Sequence, residues 1–255
     1  MKALGVIPAR LGSTRFPSKP LAELCGKPLI QHTYAAASKS TLLSKVVVTS
    51  DSRRVLDVVQ RVGGDTIRTG ACASGTDRIV QALELMDPAE LSEYDIVVNV
   101  QGDEPGVDPR HIDLCIDALR SAGQDTVVST LVTPLVDERD ARNRNVVKCV
   151  ADCHSNALYF SRALIPHAKD GAFAPDTTDY LRHVGMYAFR TAFLQTFPQL
   201  PPSRLEVSED LEQLRVLAAG YRIKVVRVAS TLPGVDTPAE LDQLSRHWPP
   251  LWQKR

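Results

Sequence analysis

The sequence has no excess of charge of either sign, because Lys and Arg together number 30 and Asp and Glu together also number 30. This balance argues against a protein that binds nucleic acid through bulk positive charge. No apolar run approaches the roughly 18 residues of a membrane span, and the beginning of the chain lacks the apolar core of a signal peptide. We therefore expect a cytoplasmic protein with no membrane span and no nucleic-acid partner.

Cysteine is sparse, and the five cysteines include no CxxC pair. Cys149 and Cys153 stand four positions apart, but no second pair of ligands accompanies them, so the pattern disfavours a structural zinc site. Free thiols in a reducing compartment are the expected state.

The first half of the chain alternates between apolar runs and amphipathic segments. Near-continuous apolar strands separated by helices indicate an α/β protein with a parallel sheet that is covered on both faces. The predicted strands are 3–7, 45–50, 65–69 and 94–100, and the predicted helices are 27–40, 52–62 and 76–86.

Three of these strands run directly into polar loops, which read PARLGSTR, TSD and QGDEP. Ligands of parallel sheets bind outside the carboxyl ends of the strands. We therefore expect the three loops to lie on one rim of the sheet and to form the binding site.

After residue 123 the pattern becomes β-rich, which predicts an antiparallel extension or a smaller second lobe. Residues 167–180 read as a mobile surface loop. Residues 208–220 then predict one helix with Ser208 as its N-cap and Gly220 as its C-terminal stop.

The loop IPARLGSTRFPSKPL places Arg10, Arg15 and Lys19 around a small-residue turn after the first strand. Backbone N–H groups in such a turn can approach phosphate oxygens, and the cations supply charge. The loop is neither a Walker loop nor a GxGxxG fingerprint. Either it binds phosphate, or it is a basic surface loop.

Two carboxylates in loops are candidate metal ligands. Asp103 follows a buried strand, where it could hold a divalent cation or cap a turn; magnesium prefers carboxylate together with phosphate oxygen. Asp236 precedes a helix, and the pattern by itself favours Asp236 or Thr237 as N-cap, with Pro238 at the first helical position.

Polar residues in the second half could line a substrate pocket. On the predicted helix 208–220, Glu209, Glu212 and Gln213 share a face, which is either solvated or turned toward a polyhydroxylated ligand. Arg162 has the geometry to bind a carboxylate with two hydrogen bonds. His183 reads either as a catalytic base or as a hydrogen-bonded structural histidine.

Taken together, these segments resemble the 3-deoxy-manno-octulosonate (Kdo) cytidylyltransferases of the nucleotidyltransferase superfamily. The matching segments occur in the family's order and span roughly residues 4 to 242. They are IPARLGSTRFPSKPL, SGTDR, NVQGDEP, ALYFSRALIP, LRHVGMYAFR, LEQLRVL and GVDTPAEL.

The resemblance implies a Rossmann-like nucleotidyltransferase fold with a mostly parallel central sheet and a smaller β-rich second lobe. It also implies three portions of one intertwined catalytic unit. These are a CTP-binding α/β portion at 1–123, a sugar-binding and dimerisation lobe at 124–205, and a return to the α/β portion at 206–255.

The activity that the resemblance implies is Mg²⁺-dependent transfer of CMP from CTP to Kdo, which releases pyrophosphate and activates Kdo for lipopolysaccharide biosynthesis. The implied assembly is a homodimer. An alternative is CMP activation of a related acid, such as 8-amino-Kdo or a sialic-acid-like nonulosonate, and a rival of another class is a non-catalytic nucleotide-binding protein.

The resemblance also implies roles for individual residues. The implied catalytic residues are Arg10, Lys19, Gln101, Asp103 and Asp236, of which Asp103 and Asp236 are the metal ligands. The implied nucleotide-binding residues are Arg10, Ser13, Arg15, Lys19, Ser74, Gly75, Arg78 and Gln101. The implied sugar-binding residues are Arg162, His183, Tyr187, Glu212 and Gln213.

Two places depart from the family pattern: Ser18, and the part of LEVSEDLEQLR that stands just ahead of the matching LEQLR. Where the family loop usually reads PGKPL, this chain has Ser18 in place of the glycine, so a need for positive φ at that position would be strained. We expect this substitution to tune the loop without abolishing its function.

Overall fold

The computed structural model describes residues 1–12, 15–232 and 234–250 of the chain. The chain divides into two units, one made of Met1–Ile116 with Leu232–Arg255 and the other of Asp117–Thr231. Residues 206–231, which the sequence prediction groups with the CTP-binding portion, fall in the second unit. The functional roles assigned to the three portions stay predictions.

The first unit contains four parallel strands in the order β6, β1, β4, β5. Residues Ala3 to Ile7 of β1 are all buried, as the near-continuous apolar run predicts for a strand covered on both faces. The elements are β1 (Lys2–Pro8), β2 (Glu23–Leu24), β3 (Lys27–Pro28), α1 (Leu29–Ala37), β4 (Leu43–Ser50), α2 (Arg53–Gln60), β5 (Asp65–Arg68), α3 (Gly75–Glu84), α4 (Pro88–Leu91), β6 (Tyr94–Asn99) and α5 (Pro109–Arg120), which runs into the second unit.

The carboxyl ends of β1, β4 and β6 lie at the same edge of these strands. The backbone N–H of Ala9 donates to Thr49 O at 2.9 Å, and that of Val100 donates to Val6 O at 3.0 Å. The parallel arrangement and the common rim of the three polar loops are therefore confirmed.

The second unit is β-rich and mostly antiparallel, as predicted. Its elements are β7 (Thr126–Pro134), α6 (Glu138–Arg142), β8 (Lys148–Ala151), β9 (Ala157–Ser161), β10 (Leu181–Arg190), α7 (Thr191–Thr196), α8 (Arg204–Glu209), α9 (Gln213–Ala218) and β11 (Arg222–Arg227). Strand β10 pairs antiparallel with β7 and β8, β9 pairs antiparallel with β8, and β11 pairs in parallel with β7. The chain then returns to the first unit, where α10 (Pro238–Ser245) forms.

The prediction of one helix over 208–220 is wrong. Helix α8 begins earlier, because Ser203 and Glu206 form a capping box with reciprocal side-chain hydrogen bonds to backbone N–H groups. Asp210 adopts a left-handed conformation with φ of 52°, which ends α8, and a separate helix α9 starts at Gln213. The C-terminal stop at Gly220 is confirmed by its φ of 86°.

None of the helices in the described ranges is both long enough and apolar enough to cross a lipid bilayer.

Candidate active site

A cavity of about 230 Å³ opens in the first unit beside the carboxyl ends of β1 and β6. It brings together nearly all of the residues predicted to bind nucleotide or metal, while Ser13 lies outside the described residues. Cationic side chains outnumber carboxylates in its wall, which favours an anionic ligand. The predicted residues that line it are Arg10, Arg15, Lys19, Ser74, Gly75, Arg78, Gln101, Asp103 and Asp236. Fold and cavity together define an α/β protein with a cation-rich cavity suited to an anionic ligand.

Lys19 lies between two carboxylates in this cavity. Its Nζ donates to Oδ2 of Asp103 at 2.6 Å and to Oδ1 of Asp236 at 2.9 Å. Burial by itself would lower the pKa of Lys19, but the charges and hydrogen bonds of both carboxylates outweigh it, so the pKa is raised. Lys19 is therefore a fixed positive charge at neutral pH.

Arg15 adds a second cation to Asp236, with its Nη2 at 3.1 Å from Oδ2. The Arg15 side chain is 67% exposed, whereas that of Lys19 is 12% exposed. Because exposed ion pairs contribute little, Arg15 can leave this contact at small cost and meet an incoming anion.

The N-terminus of α10 explains why Asp236 is available. Of the two residues predicted as its N-cap, Thr237 performs that role, because its side chain accepts from the N–H of Glu240 in a capping box. The Glu240 carboxylate accepts from the N–H of Asp236 at 2.7 Å. The carboxylate of Asp236 is not used as a cap and faces Lys19 instead.

Two backbone contacts hold Asp103 in place. The N–H of Val235 donates to Asp103 O at 2.9 Å, which ties the two carboxylate-bearing loops together. At the preceding residue, Gly102, an added Cβ would lie 2.7 Å from Pro8 O, so only glycine fits there. Sequence reasoning missed Gly102, although its place between Gln101 and Asp103 in a strand-end loop was a signal.

Helix α3 presents its N-terminus to the cavity. Ser74 is its N-cap, accepting from Asp77 N at 3.1 Å, and Gly75 is the first helical residue. Such a terminus favours a bound anion. Arg78 is almost fully buried and donates to Thr69 Oγ1 at 2.6 Å, and its Nη2 lies 3.6 Å from Asp51. Its guanidinium is thus positioned by the chain itself.

The carboxylates of Asp103 and Asp236 fit a divalent cation. Both converge on the Lys19 ammonium, so the geometry already stabilises positive charge between them. Within the described residues no group of three or more His, Cys, Asp or Glu side chains could hold a metal ion. An ion held by these two carboxylates would therefore need further oxygens from phosphate and water.

Ser18 adopts a left-handed conformation with φ of 58° and ψ of 24°, directly before Lys19. The position therefore does require positive φ, and the serine accepts the strain that a glycine would avoid. Its N–H still bonds Leu11 O at 3.2 Å, and its carbonyl accepts from Leu21 N at 2.8 Å. Serine at this position is therefore compatible with the backbone hydrogen bonds of the loop.

In the second unit, His183 and Tyr187 lie on β10 with their ring centroids 5.4 Å apart. Burial lowers the pKa of His183 to about 3. Burial also raises the pKa of Tyr187, with the negative charges of Glu212 and Cys149 adding to the effect. Both side chains are therefore neutral near pH 7, and the charge of Glu212 acts on the Tyr187 hydroxyl.

Three polar atoms of this group lack hydrogen-bond partners among residues 1–12, 15–232 and 234–250. They are Nε2 of Gln213, Nδ1 of His183 and the hydroxyl of Tyr187, and of these three atoms Gln213 Nε2 is the one buried from solvent. A buried polar atom without a partner is costly unless a ligand or water satisfies it. The group is suited to a ligand that carries several hydroxyls.

Arg162 is held by the C-terminal end of α8. Its Nε donates to Glu209 O at 2.6 Å, and its Nη2 donates to Asp210 O at 3.0 Å. The Glu209 carboxylate accepts from Ser161 Oγ and from Arg162 N, at 2.6 and 2.9 Å. Glu209 therefore does not share a ligand-facing surface with Glu212 and Gln213, because its carboxylate is committed to β9 and the residue after it.

Sequence reasoning also missed Lys148, which is completely buried on β8. Its Nζ donates to three carbonyl oxygens, those of Asn143, Val146 and Arg162, at 3.0, 2.6 and 2.7 Å. Burial lowers the pKa of Lys148. The negative charge of Glu209 opposes this shift, and the positive charge of Arg162 adds to it. A lysine in an otherwise apolar strand was the available signal.

Comparisons with known proteins identify the family of this chain. The sequence model of a family described as cytidylyltransferase matches residues 4–223. The 3-deoxy-manno-octulosonate cytidylyltransferase of Protochlamydia amoebophila (strain UWE25) is 45% identical over 242 residues, which cover 94% of this chain and 92% of that protein. The 8-amino-3,8-dideoxy-manno-octulosonate cytidylyltransferase of Shewanella pealeana (strain ATCC 700345 / ANG-SQ1) is 44% identical over 239 residues, which cover 92% of this chain and 94% of that protein.

A solved structure is also similar over nearly the whole chain. It is named as CMP:2-keto-3-deoxy-manno-octonic acid synthetase complexed with CTP, and it superposes with a TM-score of 0.89 at 41% identity. The alignment covers 97% of this chain and 98% of that one. The chain belongs to the cytidylyltransferase family and, within it, to the 3-deoxy-manno-octulosonate cytidylyltransferases. The Rossmann-like nucleotidyltransferase fold predicted from the sequence is confirmed.

Proposed function

We propose that this chain transfers CMP from CTP to 3-deoxy-D-manno-octulosonate, giving CMP-Kdo and pyrophosphate. The observation that carries the proposal is the convergence of Lys19, Asp103 and Asp236 in a cation-rich cavity at the rim of the sheet. Family membership supplies the substrates, since the similar solved structure is named as a complex with CTP. A protein that only bound nucleotide would have little need for two paired carboxylates.

The first unit binds the triphosphate in this proposal. Arg10, Arg15 and Lys19 offset the phosphate charge, and the N-terminus of α3 at Ser74 and Gly75 offers backbone dipoles. Arg78 and Gln101 complete the nucleotide side of the cavity.

Asp103 and Asp236 would hold Mg²⁺, because they are the two carboxylates that face one point in the cavity. When bound, the ion supplies charge stabilisation to the phosphates and holds them in a fixed orientation. The contribution of the chain is to hold both carboxylates close together, through Lys19 and through the hydrogen bond from Val235 N–H to Asp103 O.

The reaction is an in-line displacement at phosphorus. The anomeric hydroxyl oxygen of the sugar acid forms a bond to the α-phosphorus, and its proton is lost to solvent water. The bond from that phosphorus to the oxygen bridging to the β-phosphate breaks, and pyrophosphate leaves with the electron pair. Positioning and charge compensation are the main demands, because an anionic acid must approach a triphosphate.

His183 does not serve as the general base in this proposal. A base must be matched to the pH at which it works, and burial lowers the pKa of His183 to about 3. His183, Tyr187, Glu212 and Gln213 instead bind hydroxyls of the sugar acid, and Arg162 faces its carboxylate with the donors that α8 leaves unused.

A second candidate substrate is 8-amino-3,8-dideoxy-manno-octulosonate, because the Shewanella pealeana protein named for it is 44% identical to this chain. The two acids differ at one substituent.

We also propose that the chain works as a homodimer in the cytoplasm and that its product serves lipopolysaccharide biosynthesis. Light scattering tests the assembly, with a mass near twice that of the chain expected and the mass of a single chain contradicting the dimer.

The experiment that tests the function is pyrophosphate release from CTP. The purified chain is assayed with Kdo, with 8-amino-3,8-dideoxy-manno-octulosonate and with a sialic acid, each with and without Mg²⁺. We expect turnover with Kdo that requires Mg²⁺. Turnover with another acid and none with Kdo would contradict Kdo as the substrate. Full turnover after chelation of Mg²⁺ would contradict the proposed metal requirement.

A further inference from the structure

Strand β10 carries a bulge opposite Thr130 of β7. The antiparallel register pairs Val184 with Leu131 and then Tyr187 with Thr130, so the register skips two residues of β10. Bulges redirect side chains, and they recur beside functional sites. This bulge separates His183 from Tyr187, two residues of the proposed sugar site.

The Thr130 hydroxyl contacts three atoms of the bulged segment. Its Oγ1 lies 2.7 Å from Met186 O, 3.2 Å from Val184 O and 3.0 Å from His183 Nε2. Thr130 is completely buried, so no water competes for these contacts. One hydroxyl thus ties both sides of the bulge to the imidazole.

The chemistry of these groups decides which atom donates. A hydroxyl has one proton, and carbonyl oxygens can only accept. The proton goes to Met186 O, which is the nearest acceptor. The hydroxyl oxygen then has only lone pairs for His183, so the ring must donate through Nε2–H.

A neutral imidazole that is protonated on Nε2 has its lone pair on Nδ1. His183 is neutral near pH 7, since burial lowers its pKa to about 3. Its Nδ1 makes no hydrogen bond within the described part of the chain. The ring is therefore left with one acceptor for a donor from outside the protein.

We propose that Thr130 is a positioning residue that fixes His183 as the Nε2–H tautomer, so that Nδ1 accepts a hydrogen bond from a hydroxyl of the sugar acid. The second half of this statement rests on the proposed function, whereas the tautomer does not.

The test uses two variants of the full chain and a control. Thr130→Val keeps the shape of the side chain and removes the hydroxyl, whereas Thr130→Ser keeps the hydroxyl. Thr133→Val removes a buried hydroxyl from the same strand without touching His183. The chain is labelled with ¹⁵N-histidine, and the His183 signals are identified by their loss in His183→Gln.

Long-range ¹H–¹⁵N spectra report the tautomer. We expect the Nε2–H pattern for His183 in the wild type, in Thr130→Ser and in Thr133→Val, and loss of that pure pattern in Thr130→Val. An Nδ1–H pattern in the wild type would overturn the proposal, and it would do so even if Thr130→Val failed to fold.

Steady-state kinetics test the link to the sugar acid. We expect KM for Kdo to rise about 10-fold in Thr130→Val, with KM for CTP unchanged and with Thr130→Ser within about 2-fold of the wild type. An unchanged KM for Kdo in a folded Thr130→Val would overturn the positioning role. Absence of any turnover with Kdo in the wild type would instead contradict the proposed function, while the NMR result on the tautomer would stand.

Discussion

The candidate sites of the two units are built on opposite principles. In the first unit the side chains are charged and already paired, as Lys19 is with Asp103 and Asp236. In the second unit His183 and Tyr187 are kept neutral, and Gln213 has a buried donor without a partner in the described residues. A triphosphate needs charge compensation, whereas sugar hydroxyls need directional donors and acceptors.

This difference also shows what each site costs the fold. Paired charges in the first unit satisfy each other before substrate arrives, so that site is stable without a ligand. The buried amide nitrogen of Gln213 in the second unit remains a cost until a ligand or water satisfies it. Variants that remove a charge and variants that remove an unpaired group should therefore behave differently.

The largest effect is expected from Asp236→Asn, which removes one of the paired charges. We predict that kcat falls about 10²- to 10³-fold, because charge stabilisation in a site of this kind is worth that much. Pyrophosphate release at saturating CTP and Kdo measures it. The matched control is Asp242→Asn, an exposed carboxylate on α10, which should leave kcat unchanged. A loss of kcat below 3-fold in Asp236→Asn would contradict the role of the pair.

The next effect is a pH dependence of stability that arises from His183. Its folded pKa is about 3 and lies below its ordinary value of 6.5, so the unfolded chain binds a proton more readily. The contribution of His183 to the free energy of unfolding is therefore complete above about pH 6.5. It is lost as the pH falls from 6.5 toward 3. Between about pH 8 and 5 we predict that the wild type loses at most about 2 kcal/mol more than His183→Gln.

Urea denaturation at each pH measures this difference in the free energy of unfolding. The control is His247→Gln, because His247 is exposed and follows the last turn of α10. It should reproduce the wild-type slope. If His183→Gln also kept that slope, His183 would titrate normally in the folded chain.

A smaller effect is expected from Gln213→Leu, and this variant should not be destabilised. This variant removes the buried amide nitrogen that lacks a partner, so the free energy of unfolding should stay the same or rise. KM for Kdo should rise about 10-fold, and KM for CTP should not change. The control is Gln199→Leu, at an exposed glutamine of the same unit. Destabilisation together with an unchanged KM for Kdo would show that Gln213 is a structural residue.

The smallest effect is expected from Ser18→Gly, which relieves a left-handed conformation at φ of 58°. We predict a gain in the free energy of unfolding of at most about 1 kcal/mol, because glycine adopts this conformation without strain but loses more entropy on folding. Ser155→Gly is a matched control, since Ser155 of the second unit also has φ of 58°. Both variants should gain stability similarly. If Ser18 tunes the loop, as the sequence predicts, the affinity for CTP changes in Ser18→Gly alone, and an unchanged affinity would show that the serine is neutral.

The sequence allowed much of the first unit to be predicted. Its apolar runs have the period of buried parallel strands, and the loops that follow them had to meet at one rim. The role of Asp236 was harder to predict, because either Asp236 or Thr237 could cap the helix that follows. The structure shows that Thr237 is the N-cap.

The second unit was less predictable for physical reasons. The break between α8 and α9 depends on the left-handed conformation of Asp210, which helical periodicity does not report. The link from Thr130 to His183 depends on pairing between distant strands and on a bulge. A contact that depends on how distant strands pair leaves no local signal in the sequence.

The most direct test of the central claim is a competition for CTP between Kdo and 8-amino-3,8-dideoxy-manno-octulosonate at equal concentrations, with Mg²⁺ present. Mass spectrometry of the products then shows which acid has received CMP. We predict that CMP-Kdo forms in large excess over the amino-sugar product. An excess of the amino-sugar product, or the absence of any CMP-sugar while CTP still binds, would contradict the proposed activity.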